Sequence, residues 1–294
     1  MLATQDEKRQ TQTVRPTEGK SQASKRWNSW PSRVLVGLLA GIFVLFVGVP
    51  LAALLLHEPP GLLWRAFHRP EVFSALAISL LTTTMSTLFT VLLGLPVAYL
   101  LARTRLPGRA LVEALVTLPT ILPPVVAGVA LLLAFGRLSL IGRYLNLFGI
   151  TLPFTTAAVV MAQIFVSAPF FINSARVGLE QLDEQYELAA YTMGASRWGA
   201  FRHIVLPLVR PALLTGIGLA WARSVGELGA TITFAGNLPG ITQTLSIAVY
   251  LAAQDDLDTA VALSVLLLAV SFGVLLVVQL GRRKQGVDAE TRGG

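Results

Sequence analysis

Glu187–Pro207 reads ELAAYTMGASRWGAFRHIVLP. Together with the residues just before it, this stretch has the pattern of two short helices joined by a glycine. Leu179, Leu182, Tyr186, Ala189 or Ala190, and Met193 recur at spacings of three and four, which places them on one face of a helix. The other face carries Glu180, Asp183, Glu184 and Glu187. Gly194 ends that helix, and Ser196 is placed to cap a second one running through Trp198 and Phe201 toward Pro207. Exposed aromatics on such a unit make it a docking surface for a soluble partner. The alternative is an amphipathic helix resting on lipid headgroups. Its acidic face opposes that, because the cytoplasmic leaflet is itself anionic.

Outward from this loop the chain is apolar in both directions. Of 294 residues, 54% are hydrophobic and only 13% charged, against about 25% charged in a soluble domain. A bilayer core of about 30 Å needs about 20 apolar residues in a helix. Six stretches qualify: Val34–Leu56, Val72–Ala102, Ala114–Phe135, Ile150–Ala175, Leu206–Ala235 and Thr259–Gly281. Arg210, Arg223 and Glu227 interrupt the fifth. Seventeen of the 23 Lys and Arg residues lie in the N-terminal tail, the 2–3 and 4–5 loops, and the C-terminal tail, while the alternate loops hold four. By the positive-inside rule both termini are expected in the cytoplasm. The net charge of +7 is thereby explained as a topology signal, and nucleic acid is not an expected partner. The expected organisation is a disordered basic tail over 1–33, a six-helix domain over 34–281 with its cytoplasmic helical loop at about 177–205, and a second tail over 282–294. A cleaved signal peptide is the rival reading of Val34–Leu56, but its core is longer than a typical signal and a long basic tail precedes it.

Most chemistry-bearing motifs fail. There is no cysteine, hence no thiol nucleophile and no Cys-based zinc site. Gly19-Lys20-Ser21 lacks the glycine that a phosphate-binding loop needs five positions earlier, where Val14 stands. His57, His68 and His203 share no metal-ligand spacing. Gly37 and Gly41 form a GxxxG that is equally at home in an ordinary packed helix. Prolines are more informative. Pro119, Pro123 and Pro124 crowd the third span, and Pro96 and Pro169 mark further expected breaks in the second and fourth. Carbonyls freed at membrane depth must be satisfied by protein or water, which favours a helix lining an interior path.

The loop then resembles something specific. Glu187-Leu-Ala-Ala190, Gly194 seven residues after the glutamate, and Ile204-Val-Leu-Pro207 are similar to the "EAA loop" of ABC importer permeases. The likeness covers roughly residues 34–281. It implies an all-α integral membrane protein of the type I ABC importer permease (MetI-like) fold, in the bacterial plasma (inner) membrane. It also implies a cytoplasmic ATPase dimer seated on the loop, an external substrate-binding protein, and a second permease copy sharing the path. Glu187, Ala189, Ala190, Gly194 and Pro207 are by this likeness the coupling residues, with ATP and Mg on the partner ATPase and no cofactor in this chain. The fifth span, WARSVGELGATITFAGNLPGITQTLSIAVY, is similar to the molybdate permeases, within a branch that also carries sulfate and tungstate. The expected function is therefore a non-enzymatic permease subunit for molybdate, with sulfate or tungstate as alternatives.

The charges of the fifth span can be read without that likeness. Arg223 and Glu227 are four apart and share a helix face. At about 1.5 Å per residue from Arg210, Arg223 lies about 20 Å along the helix. Charges at such depth face an interior or a water-filled path. Arg223 and Glu227 are thus candidate path or gate residues, and the likeness to that branch adds Gly229 and Thr231; the other reading of the pair is that it only fixes helix packing. Arg210, nearer the end, is expected to snorkel. Asp255, Asp256 and Asp258, in a loop without basic residues, are open to three readings: solvated acids, metal ligands or a contact with a basic partner. An ion-coupled secondary transporter is the rival from another class. It would need an ionisable relay inside the spans and internal repeats, whereas five of the six spans are nearly free of charge.

Overall fold

The computed structural model describes residues 30–57, 61, 69–104 and 107–292, with side-chain surroundings for 33–57, 61, 69–104 and 107–277. Most of the expected N-terminal tail, residues 1–29, lies outside the described residues, as do 58–60, 62–68, 105, 106, 293 and 294. Every described regular element is helical. The chain divides into two units, Met1–Leu56 and His57–Gly294. The first contains α1 (Trp30–Leu56), whose stretch Arg33–Leu56 has a mean hydropathy of 2.7 and is long enough to cross a membrane.

The second unit is built from α2 (Pro70–Arg103), α3 (Arg109–Ile121), α4 (Pro124–Phe135), α5 (Gly142–Leu147), α6 (Thr156–Gln181) and α7 (Gln185–Thr192). It continues with α8 (Arg197–Ala200), a π-helical turn (Phe201–Val205), α9 (Leu206–Val225), α10 (Gly229–Ala235), α11 (Leu245–Asp255) and α12 (Leu257–Arg292). Among the described residues five helices are long and apolar enough to span, and six if α3 and α4 count as one bent span.

Three expectations need correction. The third span is not a single helix: α3 and α4 meet at 119°. Pro123 holds Leu122 extended at φ −67°, ψ 135°, and Pro124 has no N–H to continue the ladder, so the chain turns between them. The fifth span ends early, at Val225, and a non-helical break at 226–228 separates it from α10. Pro96 and Pro169, by contrast, break nothing. The 34-residue α2 and 26-residue α6 run through them, each losing only one ladder bond. Beyond the sixth expected span, α12 continues to Arg292, because no proline stops it.

The core forms where α2, α6 and α9 cross. Ala98 and Leu101 meet Phe171, Ala175 and Leu179, closed by Val205, Val209, Leu213 and Ala220. Between lipid-like surfaces the packing gain comes from close approach, so small residues sit at the crossings. A Cβ on Gly178 would come 2.3 Å from the Ala212 Cβ, and one on Gly216 3.1 Å from Phe171 and Ser174. The Ser174 hydroxyl then donates across this crossing to the Ala212 carbonyl at 2.9 Å. A second cluster joins α4, α6 and α10 through Leu131, Val159, Val166 and Phe234. A third joins α2, α11 and α12 through Val72, Leu245 and Leu263.

Candidate functional site

The loop has the expected parts with different boundaries. Instead of one helix over 179–193, α6 carries Leu179 and Glu180 to its end at Gln181, and α7 begins after a break at 182–184. Asp183 Oδ1 accepts from the Gln185 N–H at 2.9 Å and shapes that break. Gly194 turns the chain in the left-handed region at φ 86°, where glycine carries no Cβ cost. Ser196 caps α8, its hydroxyl accepting from the Gly199 N–H at 3.1 Å. Then α8, the π turn and α9 form one run, Arg197–Val225. The Leu206 N–H reaches back five residues to the Phe201 carbonyl, just before Pro207, which has no N–H to give.

The four acids of the expected face part company: Asp183 and Glu184 stay exposed, whereas Glu187 is turned inward and Glu180 is drawn into ion pairs. Arg103, at the end of α2, places Nε 3.1 Å from Glu187 Oε1 and Nη1 3.7 Å from Glu184 Oε1. Its Nη2 donates to the Leu182 carbonyl at 3.0 Å. Glu180 belongs to a second group on α3 and α6. Arg109 and Arg176 each contact both Glu113 and Glu180, at 2.7 and 3.0 Å and at 3.2 and 2.8 Å, so the charges alternate around a ring. Of the expected coupling residues, Glu187 and Ala190 are buried within the chain, whereas Ala189, Gly194 and Pro207 are exposed. Leu188, Met193 and Trp198 project outward at 58%, 78% and 68% exposure. These three were not singled out by the motif, yet they supply the apolar area that a docked protein could cover.

The four candidate path residues come together at the break after α9. Arg223 Nη1 lies 2.6 Å from Glu227 Oε2, with the Glu227 side chain 1% exposed and that of Arg223 28%. Glu227 stands beyond the end of α9, so its pairing comes from the turn and not from a shared helix face. Its second oxygen accepts from the Ala230 N–H at 2.8 Å and caps α10. One carboxylate thus neutralises a cation and starts a helix. A Cβ on Gly229 would come 2.7 Å from Pro124 Cβ, and one on Gly128 2.6 Å from Thr233 Cβ. Those glycines let α10 lie against α4, directly after the proline turn. Thr231 is fully buried, and its hydroxyl has no hydrogen-bond partner. Arg210 is exposed near the start of α9.

Sequence reasoning missed a hydroxyl stripe on α2. Ser79, Thr82, Thr83, Ser86, Thr87 and Thr90 are all buried. Ser86 donates to Ser224 of α9 at 3.1 Å, and Ser79 accepts from the Leu245 N–H of α11 at 2.6 Å. The recurrence of Ser and Thr at three- and four-residue steps was the signal for it. A cleft of about 680 Å³ between α3, α6 and α9 was also missed. Its polar lining is uncharged: Thr120, Asn173, Ser174, Gln181 and Thr215.

Of the three loop acids, Asp256 has a structural role. It accepts from the Thr259 hydroxyl and from the Asp258 N–H at the start of α12. Those bonds, Thr259 foremost, hold its carboxyl below the usual value of 3.8. Among the described residues no group of three or more His, Asp or Glu side chains is placed to hold a metal ion.

The chain matches the family described as binding-protein-dependent transport system inner membrane component over residues 91–284. It is 44% identical over 264 residues to the molybdenum transport system permease protein ModB of Mycobacterium tuberculosis, covering 89% of this chain and 97% of that one. It is 36% identical over 269 residues to the sulfate transport system permease protein CysT of Escherichia coli, covering 86% and 97%. Among solved structures it is similar to a chain of a bacterial ABC transporter that imports alginate. There the TM-score is 0.69 at 16% identity, over 90% of this chain and 98% of that one. A chain of the inward-facing MetNI methionine ABC transporter gives 0.59 at 20% identity, over 77% and 99%. At those identities the likeness is one of fold.

Proposed function

Because this chain belongs to the inner-membrane permease components of binding-protein-dependent ABC importers, we propose that it carries molybdate into the cytoplasm by alternating access. The family makes it a non-catalytic, multi-pass transport subunit that works with an ATPase and a binding protein. In this reading both termini are cytoplasmic, six helices cross the membrane with α3 and α4 as one bent crossing, and the fold is that of a type I importer. The ATPase dimer seats on the surface formed by Leu188, Met193 and Trp198, with Ala189, Gly194 and Pro207 shaping it. ATP-driven closure of the motor moves this loop and shifts the permease between inward- and outward-facing states.

Two copies of the chain enclose the path. The support for this is the cleft at Asn173. A carboxamide exposed on a spanning helix is costly against acyl chains, so that face suits water or a second copy. Neutral donors there fit brief contact with an oxyanion and ready release. Arg223, already neutralised by Glu227, lines the gate with Gly229 and Thr231 and does not act as a lasting anion trap.

The observation that carries the substrate class is the 44% identity, over nearly the whole chain, to a molybdenum transport permease. Uptake of labelled molybdate by cells with and without this gene tests it. The expected result is loss of uptake on deletion, with competition by tungstate and little by a tenfold excess of sulfate. Stronger competition by sulfate than by tungstate would overturn the molybdate assignment in favour of sulfate. Uptake that survives removal of the ATPase but stops with a protonophore would make the chain an ion-coupled carrier.

A further inference from the structure

Two tethers bind the loop to one end of α2. On α7, Tyr186 and Leu188 face outward at 55% and 58% exposure, while Glu187 between them is 8% exposed and turned inward. Its Oε1 lies 3.1 Å from Arg103 Nε, with the arginine side chain 9% exposed. Its Oε2 accepts from the Tyr99 hydroxyl at 3.5 Å and the Tyr191 hydroxyl at 3.4 Å. Tyr99 is one turn before Arg103 on α2, and its ring meets Phe201 of the π turn edge-on at 5.4 Å. Phe201 in turn stacks on Trp198 at 5.6 Å. Apart from Glu187, only Ala190 of α7 is buried, and an eight-residue helix between a three-residue break and a glycine turn has little backbone restraint of its own.

We propose that Glu187 is a positioning residue that acts inward through Arg103, holding α7 to the end of α2 so that a push on the loop reaches the spanning helices. This rests on the reading of the loop as the motor's seat and departs from the expectation that Glu187 itself touches the motor. Without the tie, the break at 182–184 and the turn at Gly194 would absorb the displacement. With it, α2 carries the displacement to α6 and α9, against which Ala98 and Leu101 are packed. The two charges are deeply placed: removing Arg103 leaves Glu187 only two tyrosine hydroxyls, and removing Glu187 leaves Arg103 only the Leu182 carbonyl and the more distant Glu184, whereas exchanging them keeps the pair.

The test uses the full complex of permease and ATPase, reconstituted into vesicles, with labelled molybdate uptake counted per ATP hydrolysed. Glu187→Gln and Arg103→Gln are each expected to retain the ATPase on co-purification and to lose roughly tenfold in uptake per ATP. Arg103→Lys, which keeps the charge, should lose much less. The double exchange Arg103→Glu with Glu187→Arg should restore most of the loss. If the single variants fail to assemble, the exchange decides: recovery of assembly and coupling supports the tie, and no recovery overturns it. Unchanged uptake per ATP in Arg103→Gln also overturns it. So does release of the ATPase by Glu187→Gln but not by Arg103→Gln, since Glu187 would then touch the motor directly. Failure of the underlying reading looks different: Met193→Asp with Trp198→Asp would leave the ATPase bound.

Discussion

Arg103–Glu187 and Arg223–Glu227 are both arginine–glutamate pairs with a poorly exposed carboxylate, yet they are built in opposite ways. The second is local: four residues, 2.6 Å, and a carboxylate whose other oxygen starts a helix. The first joins segments 84 positions apart, at 3.1 Å, with Nε–H poorly aligned on Oε1, so the attraction is coulombic and not a linear hydrogen bond. A tight local pair defines the shape of one chain segment. A looser distant pair couples two elements that would otherwise move apart. The difference is between a rigid break after α9 and a long-range tie that joins α7 to the end of α2.

The largest effect expected from this contrast is at the rigid break. Glu227→Ala leaves Arg223 without its counter-charge and the Ala230 N–H without its cap. That should cost about 3–5 kcal/mol, the range for breaking a buried pair, seen as loss of folded yield or of thermal stability in detergent. Glu227→Gln keeps the acceptor for Ala230 and should lose less; equal losses in the two would show that the cap contributes nothing. Next come the glycines that bring α10 onto α4. Gly229→Ala or Gly128→Ala forces contacts of 2.7 or 2.6 Å apart, for a destabilisation of about 1–3 kcal/mol. A normal melting temperature in both would mean that the break is less rigid than its contacts suggest.

At the loop, effects should be smaller and fall on coupling more than on folding. Gly194→Ala meets nothing within 4 Å, so its cost is conformational, about 1–2 kcal/mol for a side chain at positive φ. Reduced ATPase co-purification with near-normal permease yield is expected; a loss of yield as large as that of Glu227→Ala would erase the contrast. The smallest effect belongs to the partly exposed ring of Arg109, Glu113, Arg176 and Glu180. Arg109→Gln should lower thermal stability only slightly, and the difference should shrink further in about 0.5 M salt, as for other exposed pairs. A large, salt-insensitive loss would mean that the ring is shielded and belongs with the rigid class.

Much of this organisation was legible one residue at a time. Helical turn by turn, apolar runs give spans, Gly194 gives the turn and Ser196 gives the cap; Arg223 and Glu227 were expected to pair on one helix face, whereas the turn after α9 brings them together. The misreadings share a cause. Hydropathy ran the third span through Leu122 because a proline pair does not lower apolarity, and it ran the fifth through Gly226-Glu227-Leu228 because one charge in a long apolar run does not end it. The inward turn of Glu187 was not legible because its partner lies on another helix, and Glu180 meets Arg109 of α3 as well as Arg176 of its own helix. The basic residues counted for topology, Arg103, Arg109 and Arg176, prove to be those partners.

The sequence by itself determined that the chain is a helical membrane protein with a structured loop of helix, glycine and helix. Those properties depend on local periodicity and on the cost of exposing backbone groups to lipid. Only the tertiary structure decided which way each side chain of that loop points. Glu187 turns inward because an arginine from a distant helix end arrives there, and no spacing along the chain encodes that meeting.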